Sequence, residues 1–203
     1  MSEISRLQAG FRAFRAAYFE NKPEVYGNLA RHGQKPKFLI VACSDSRVDP
    51  AILFGAEPGE MFVVRNVANL VPPYQPDGMC HGTSAAIEFA ARDLAVAHII
   101  VLGHSSCGGI QSLCAAAHGD HPDRDFIGPW MALAAPAGET GCGDPRALEQ
   151  AAIRGSLANL RGFPWIAEAL AAGRLSLHGW WFDMAEGTLW TLDAATGDFQ
   201  PSA

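Results

Sequence analysis

A central, mostly parallel β-sheet flanked by helices, an α/β fold, is predicted by three features of this 203-residue chain. First, three runs are apolar on both alternating faces, as strands covered on two sides require: Phe38-Leu39-Ile40-Val41-Ala42, Met61-Phe62-Val63-Val64 and His98-Ile99-Ile100-Val101-Leu102-Gly103. Second, residues 83–97, between the second and third runs, are rich in alanine and helix formers, which completes a strand, helix, strand alternation. Third, the first and third runs each pass directly into a short segment dense in chemistry-bearing side chains. In open parallel sheets, ligands gather at the carboxyl ends of strands.

Taken in order, Leu7, Phe11, Phe14 and Tyr18 recur at helical spacing with Arg12 and Arg15 on other faces, so the chain opens on an amphipathic helix that ends before Pro23. The three strands and the intervening helix follow. Helices are expected over residues 109–117 and 145–160, the latter with Asp144 as its cap and Pro145 at its first position. Strands are expected over 175–183 and 189–193, and the Gly- and Pro-bearing stretch 135–145 reads as a surface loop. The chain has material for one well-filled core, so residues 1–203 are expected to form a single domain with an N-terminal helical arm over about 1–30.

A formal charge of -6 without a basic run argues against a nucleic-acid partner. No apolar run approaches the roughly 20 residues that span a bilayer, and the first ten residues lack a secretion signal, so a cytoplasmic location is expected. Cys43, Cys80, Cys107, Cys114 and Cys142 form an odd set, which suits metal-binding or buried thiols better than a disulfide framework. Cys80, Cys114 and Cys142 have no second ligand at metal-like spacing and are expected to be bystanders.

The two chemistry-bearing segments are Cys43-Ser44-Asp45-Ser46-Arg47 and His104-Ser105-Ser106-Cys107-Gly108-Gly109. Two thiolates and an imidazole suit zinc, and three protein ligands leave a fourth tetrahedral position for water. Run on as a strand, the first segment would place Cys43, Asp45 and Arg47 on one side. Cys107 should open a helix, where free amides favour a thiolate. Asp45 could orient a water or bind zinc itself, and a bidentate Arg47 would compete with the metal for it. Two further readings are a zinc-stabilised structural or regulatory protein and a cysteine hydrolase using Cys43 or Cys107 with His104. Among His32, His98, His118, His121 and His178, nothing selects a proton shuttle. The Trp180-Trp181-Phe182 cluster reads as packing.

At these residues the chain resembles the β-class carbonic anhydrases. The resemblance extends through Gly33-Gln34-Lys35-Pro36-Lys37-Phe38, Pro58-Gly59-Glu60 and residues 64–74, Val64-Arg65-Asn66-Val67-Ala68-Asn69-Leu70-Val71-Pro72-Pro73-Tyr74. It implies a lyase, carbonate dehydratase, that hydrates carbon dioxide reversibly to bicarbonate and a proton. Cys43, His104 and Cys107 would hold one zinc ion per subunit, and the Asp45/Arg47 dyad would orient the attacking zinc-bound hydroxide. Gln34, Phe62, Val67 and Gly108 would line the carbon dioxide pocket, completed across a subunit interface, with Phe89 standing where plant-type members carry a tyrosine.

Ile40 and Phe182 replace the tryptophan and tyrosine of the bicarbonate-inhibited subgroup, so that inhibitory site is expected to be absent. The resemblance also implies four parallel strands with a further edge strand, and a homodimer whose N-terminal helix lies over its neighbour, with tetramers or larger assemblies of dimers also found. Carbonyl sulfide or carbon disulfide are alternative substrates for this fold.

Overall fold

A computed structural model describes residues 2–117, 124–134 and 142–202. Its strands are β1 (Phe38–Cys43), β2 (Met61–Asn66), β3 (His98–His104), β4 (Ser176–Asp183), β5 (Thr188–Leu192) and β6 (Phe199–Ser202). They form one sheet in the order β2-β1-β3-β4-β5-β6. The first four run parallel, and β5 and β6 turn back antiparallel. The expectation of one strand beyond the parallel four is therefore corrected to two. β6 is short and carries Pro201, a residue a sheet tolerates only where a ladder donor is dispensable, as on an edge.

The two-sided apolar runs behave as predicted, with every β1 residue from Leu39 to Cys43 buried. Leu39, Val41, Ile99 and Val101 face one layer, with Ile153, Leu157, Phe163 and Ile166 packed against them. Ile40, Ala42, Ile100 and Leu102 face the other, under Leu53 and Phe54. Each such aliphatic side chain contributes about 1.5–3 kcal/mol by leaving water.

The helices are α1 (Glu3–Arg15), α2 (Pro23–His32), α3 (Pro50–Phe54), α4 (Gly82–Glu88), α5 (Gly108–Ala117), α6 (Ile127–Met131), α7 (Pro145–Arg161) and α8 (Pro164–Ala171). Asp144 caps α7 as expected, its side chain accepting the Ala147 amide at 3.1 Å. Asp49 caps α3 in the same way through the amide of Ala51. The helix expected over 83–97 is shorter: α4 gives way to a π-turn at Phe89–Asp93, and Ala95 has a positive φ of 51°. The stretch 135–145 lies, up to residue 141, outside the described residues.

α7 crosses the sheet beside β3 and β4, where glycines let it come close. A Cβ on Gly103 would lie 2.7 Å from Ile153 Cδ1, and one on Gly179 would lie 3.0 Å from Leu157 Cδ1. This close approach presents α7 side chains to the end of β3, where His104 stands.

Cys114 and Cys142 are joined by a disulfide between α5 and the segment entering α7, with their Cα atoms 5.6 Å apart. This corrects the expectation that both are bystander thiols. Their pairing across 28 residues of sequence is set by tertiary packing. Cys80 is exposed and free.

Candidate metal centre

Parallel pairing of β1 with β3 brings the ends of two predicted segments together. Ala42 is in register with Leu102, so Cys43 ends one strand beside the end of its neighbour at His104. The chain then turns through Ser105 and Ser106 to place Cys107 just before α5. Potential ligand atoms of Cys43, His104 and Cys107 all lie within 4.8 Å of one another, and all three residues are buried.

Several bonds hold this turn. Ser105 donates its amide to Phe182 O at 2.9 Å, and its hydroxyl accepts the Met184 amide at 2.8 Å. Ser106 takes a left-handed φ of 57°, uncommon for a residue with a side chain. His104 Nδ1 lies 2.9 Å from the Ser105 carbonyl, and since a carbonyl only accepts, that nitrogen carries the proton. Nε2 of the neutral ring is then a lone-pair donor; it is buried and, among the described residues, has no hydrogen-bond partner.

The electrostatics match a cation among these groups. Cys43 is shifted well below an ordinary thiol, first by the Cys107 S–H and also by His104 and the amides of Asp45 and Ala68, against the opposing effect of burial. Cys107 is pushed up, first by donating to Cys43 and then by burial. Burial works to lower His104, but the Cys43 and Ser105 contacts outweigh it and raise the ring. Two buried sulfurs this close can both ionise only with positive charge between them. The donor set, the orphan Nε2 and the spacing therefore fit zinc.

Asp45 and Arg47 stand beside the cluster, but not on one extended face. Ser46 and Arg47 form a turn, and the Arg47 amide donates back to Asp45 Oδ1 at 3.0 Å. The guanidinium then returns onto the same carboxylate, with Nε to Oδ1 at 2.9 Å and Nη2 to Oδ2 at 2.7 Å. The Arg47 side-chain bond is the main reason the Asp45 carboxyl is held far below the usual carboxylate range, burial opposing it.

Sequence reasoning assigned no role to two further polar residues here. Arg65 donates to the carbonyls of Cys43 and Asp45, at 2.9 and 2.6 Å, and to Asp49 at 2.8 Å, which ties the first segment to β2. Glu149, on α7, accepts the Cys107 amide at 3.1 Å and the Trp181 indole N–H at 3.0 Å. Burial raises its carboxyl, with those bonds working the other way. Arg65 stands in a quoted family stretch, whereas Glu149 carries no local signal.

The expected pocket residues are spread more widely. Val67 follows β2 and adjoins the start of α5: a Cβ on Gly109 would lie 2.8 Å from Val67 Cγ1. Phe62 and Phe89 pair with ring centroids 5.8 Å apart at the β2 edge of the sheet. Val67 is 37% exposed and Phe89 46%. Gly108 is exposed and a Cβ there would meet open space. Gln34 is exposed between α2 and β1, and among the described residues no hydrogen bond links it to the cluster.

A carbonic anhydrase family model matches residues 38–189, which include both ligand segments. Beta carbonic anhydrase 5, chloroplastic, of Arabidopsis thaliana is 42% identical over 93% of the chain, and the chain spans 65% of that relative's length. The solved β-carbonic anhydrase CcaA is 32% identical, with a TM-score of 0.87 over 100% of this chain and 93% of that one. A tetrameric β-carbonic anhydrase from the ascomycete Sordaria macrospora is 28% identical, with a TM-score of 0.80 over 98% of both chains. By sequence, by fold and by the ligand segments inside the matched region, this chain belongs to the carbonic anhydrase family, in its β class.

Proposed function

We propose that the protein hydrates carbon dioxide reversibly to bicarbonate and a proton, with zinc held by Cys43, His104 and Cys107. The observation that carries this reading is the pairing of a buried three-ligand cluster with an adjacent carboxylate that is already engaged. Zinc supplies Lewis acidity that makes water a nucleophile near neutral pH.

The chain's own residues do the rest. Both Asp45 oxygens accept from Arg47, which keeps the carboxylate ionised and would compete with a bound metal for it. An ionised Asp45 accepts a proton-bearing partner and orients it. Val67, Phe62 and Phe89 offer an apolar wall for a small, uncharged gas. The exposed apolar residues Ile4, Leu7 and Phe11 along α1 support association with a second copy, which would close that wall.

Stopped-flow hydration between about pH 7 and 9, with elemental analysis of the same sample, tests the proposal. The expected result is one zinc per chain and hydration well above the buffer rate. Cys43→Ser should lose metal and activity together, whereas Asp45→Asn should keep the metal and lose most activity. Hydration no faster than buffer with zinc bound would reject the reading.

A further inference from the structure

Glu149 is the buried carboxylate that the proposed chemistry leaves without a task. It is 4% exposed, and each of its oxygens accepts a hydrogen bond from a different part of the fold. Oε1 takes the amide of Cys107 and Oε2 takes the indole of Trp181, itself 2% exposed.

The Cys107 amide needs that acceptor. Ser106 stands at a positive φ, and its carbonyl is turned outward to accept from Arg47 Nη2 at 3.2 Å. Reversing the peptide would break that bond and leave the buried Cys107 N–H unpaired, a costly outcome in a dry interior. An amide side chain at position 149 could serve Cys107 through its oxygen but would set its NH2 against the Trp181 N–H. Only a carboxylate offers two acceptors in the required directions.

We infer that Glu149 is a positioning residue for the metal site: by clamping the Cys107 amide to α7 and to Trp181 of β4, it sets where the Cys107 sulfur stands relative to Cys43 and His104. The inference rests on the zinc reading above. It extends that reading from the three ligands to the group that orients one of them, which is how outer partners of metal ligands commonly act.

The test uses a Trp181→Phe background, which removes the indole N–H so that position 149 answers only to the ligand turn. There, Glu149→Gln keeps an acceptor for Cys107 and Glu149→Leu removes it. Zinc affinity is measured by competition with a chelator, and the thiolate-to-metal charge-transfer band is recorded after cobalt substitution. Glu149→Leu should lose about 10–100-fold in zinc affinity and shift the band, while Glu149→Gln stays within about threefold of its parent.

Equal zinc affinity and an identical band in the two variants would overturn the inference, whatever their melting temperatures. The unmodified protein gives a check that needs no variant: the Cys107 amide should resist hydrogen exchange as strongly as the core amides of β3, and rapid exchange would refute the clamp. A wild-type protein that takes up no zinc would instead strike the underlying reading.

Discussion

Arg47 grips both oxygens of Asp45 while donating to the carbonyl of Ser106, 59 residues further along the chain. One guanidinium thus connects the segment after β1 to the ligand turn after β3. Its planar fork allows this, and a lysine could not reproduce it.

Arg47→Ala should release Asp45 and raise its carboxyl toward about 3.9, the ordinary aspartate value. The sign follows from the pairing. The folded state holds this proton less tightly than the unfolded chain, so the pair favours folding above the ordinary carboxylate range and loses that contribution as pH falls through the depressed value. Carbon-13 NMR of the Asp45 carboxyl should show the wild-type group still ionised at about pH 3 and the variant titrating above it. Hydration activity of Arg47→Ala should fall about 10–100-fold, the range typical of losing a group that orients metal-site chemistry.

Removing the metal should weaken the fold as well as the activity, because three buried ligands lose their common partner. At a free zinc concentration 100 times the dissociation constant, the bound ion stabilises by about 2.7 kcal/mol. Chelation should therefore lower the melting temperature of the wild type and leave that of Cys43→Ser almost unmoved, as read by calorimetry.

Gly109→Ala should be destabilising despite the higher helix propensity of alanine. The new Cβ would lie 2.8 Å from Val67 Cγ1 and 3.0 Å from Ala68 Cβ, and Ala68 sits in a left-handed backbone at φ 63° with little room to retreat. A cost of about 1–3 kcal/mol in denaturant unfolding is expected. Val67→Ala in the same chain should recover part of it.

The Cys114–Cys142 bridge closes a segment with a sequence separation of 28. Loop-closure entropy for a length of this order gives about 3–4 kcal/mol. Cys114→Ser, Cys142→Ser and the double variant should all lose a similar amount in urea unfolding. A double variant much weaker than either single one would show that the thiols matter separately.

The parallel strands and the meeting of Cys43, His104 and Cys107 were legible because each leaves a local mark: two-sided apolar runs, and thiol and imidazole residues placed where those runs stop. Less legible were elements with weak or shared signals. α3 is five residues long, and its cap-and-proline start, Asp49-Pro50, repeats the signal read correctly at Asp144-Pro145. α8 starts at Pro164 without a side-chain cap, and β6 contains a proline. The turn at Arg47 escaped because a side-chain bond from Asp45 overrode the extended reading. Glu149 lies 42 residues from Cys107, so only the packing of α7 against β3 and β4 reveals its part.

The sheet's change of direction also sets two tempos for folding. β4, β5 and β6 form a contiguous meander joined by tight turns, the kind of contact an unfolded chain finds within microseconds. β1 must instead find β3 across a long excursion, pairing Phe38 with His98. Such distant closures dominate the search time. The meander from β4 to β6 should gain protection first in pulse-labelled refolding, and the cradle of Cys43, His104 and Cys107, whose walls stand on the slow pair, should be among the last parts to take shape.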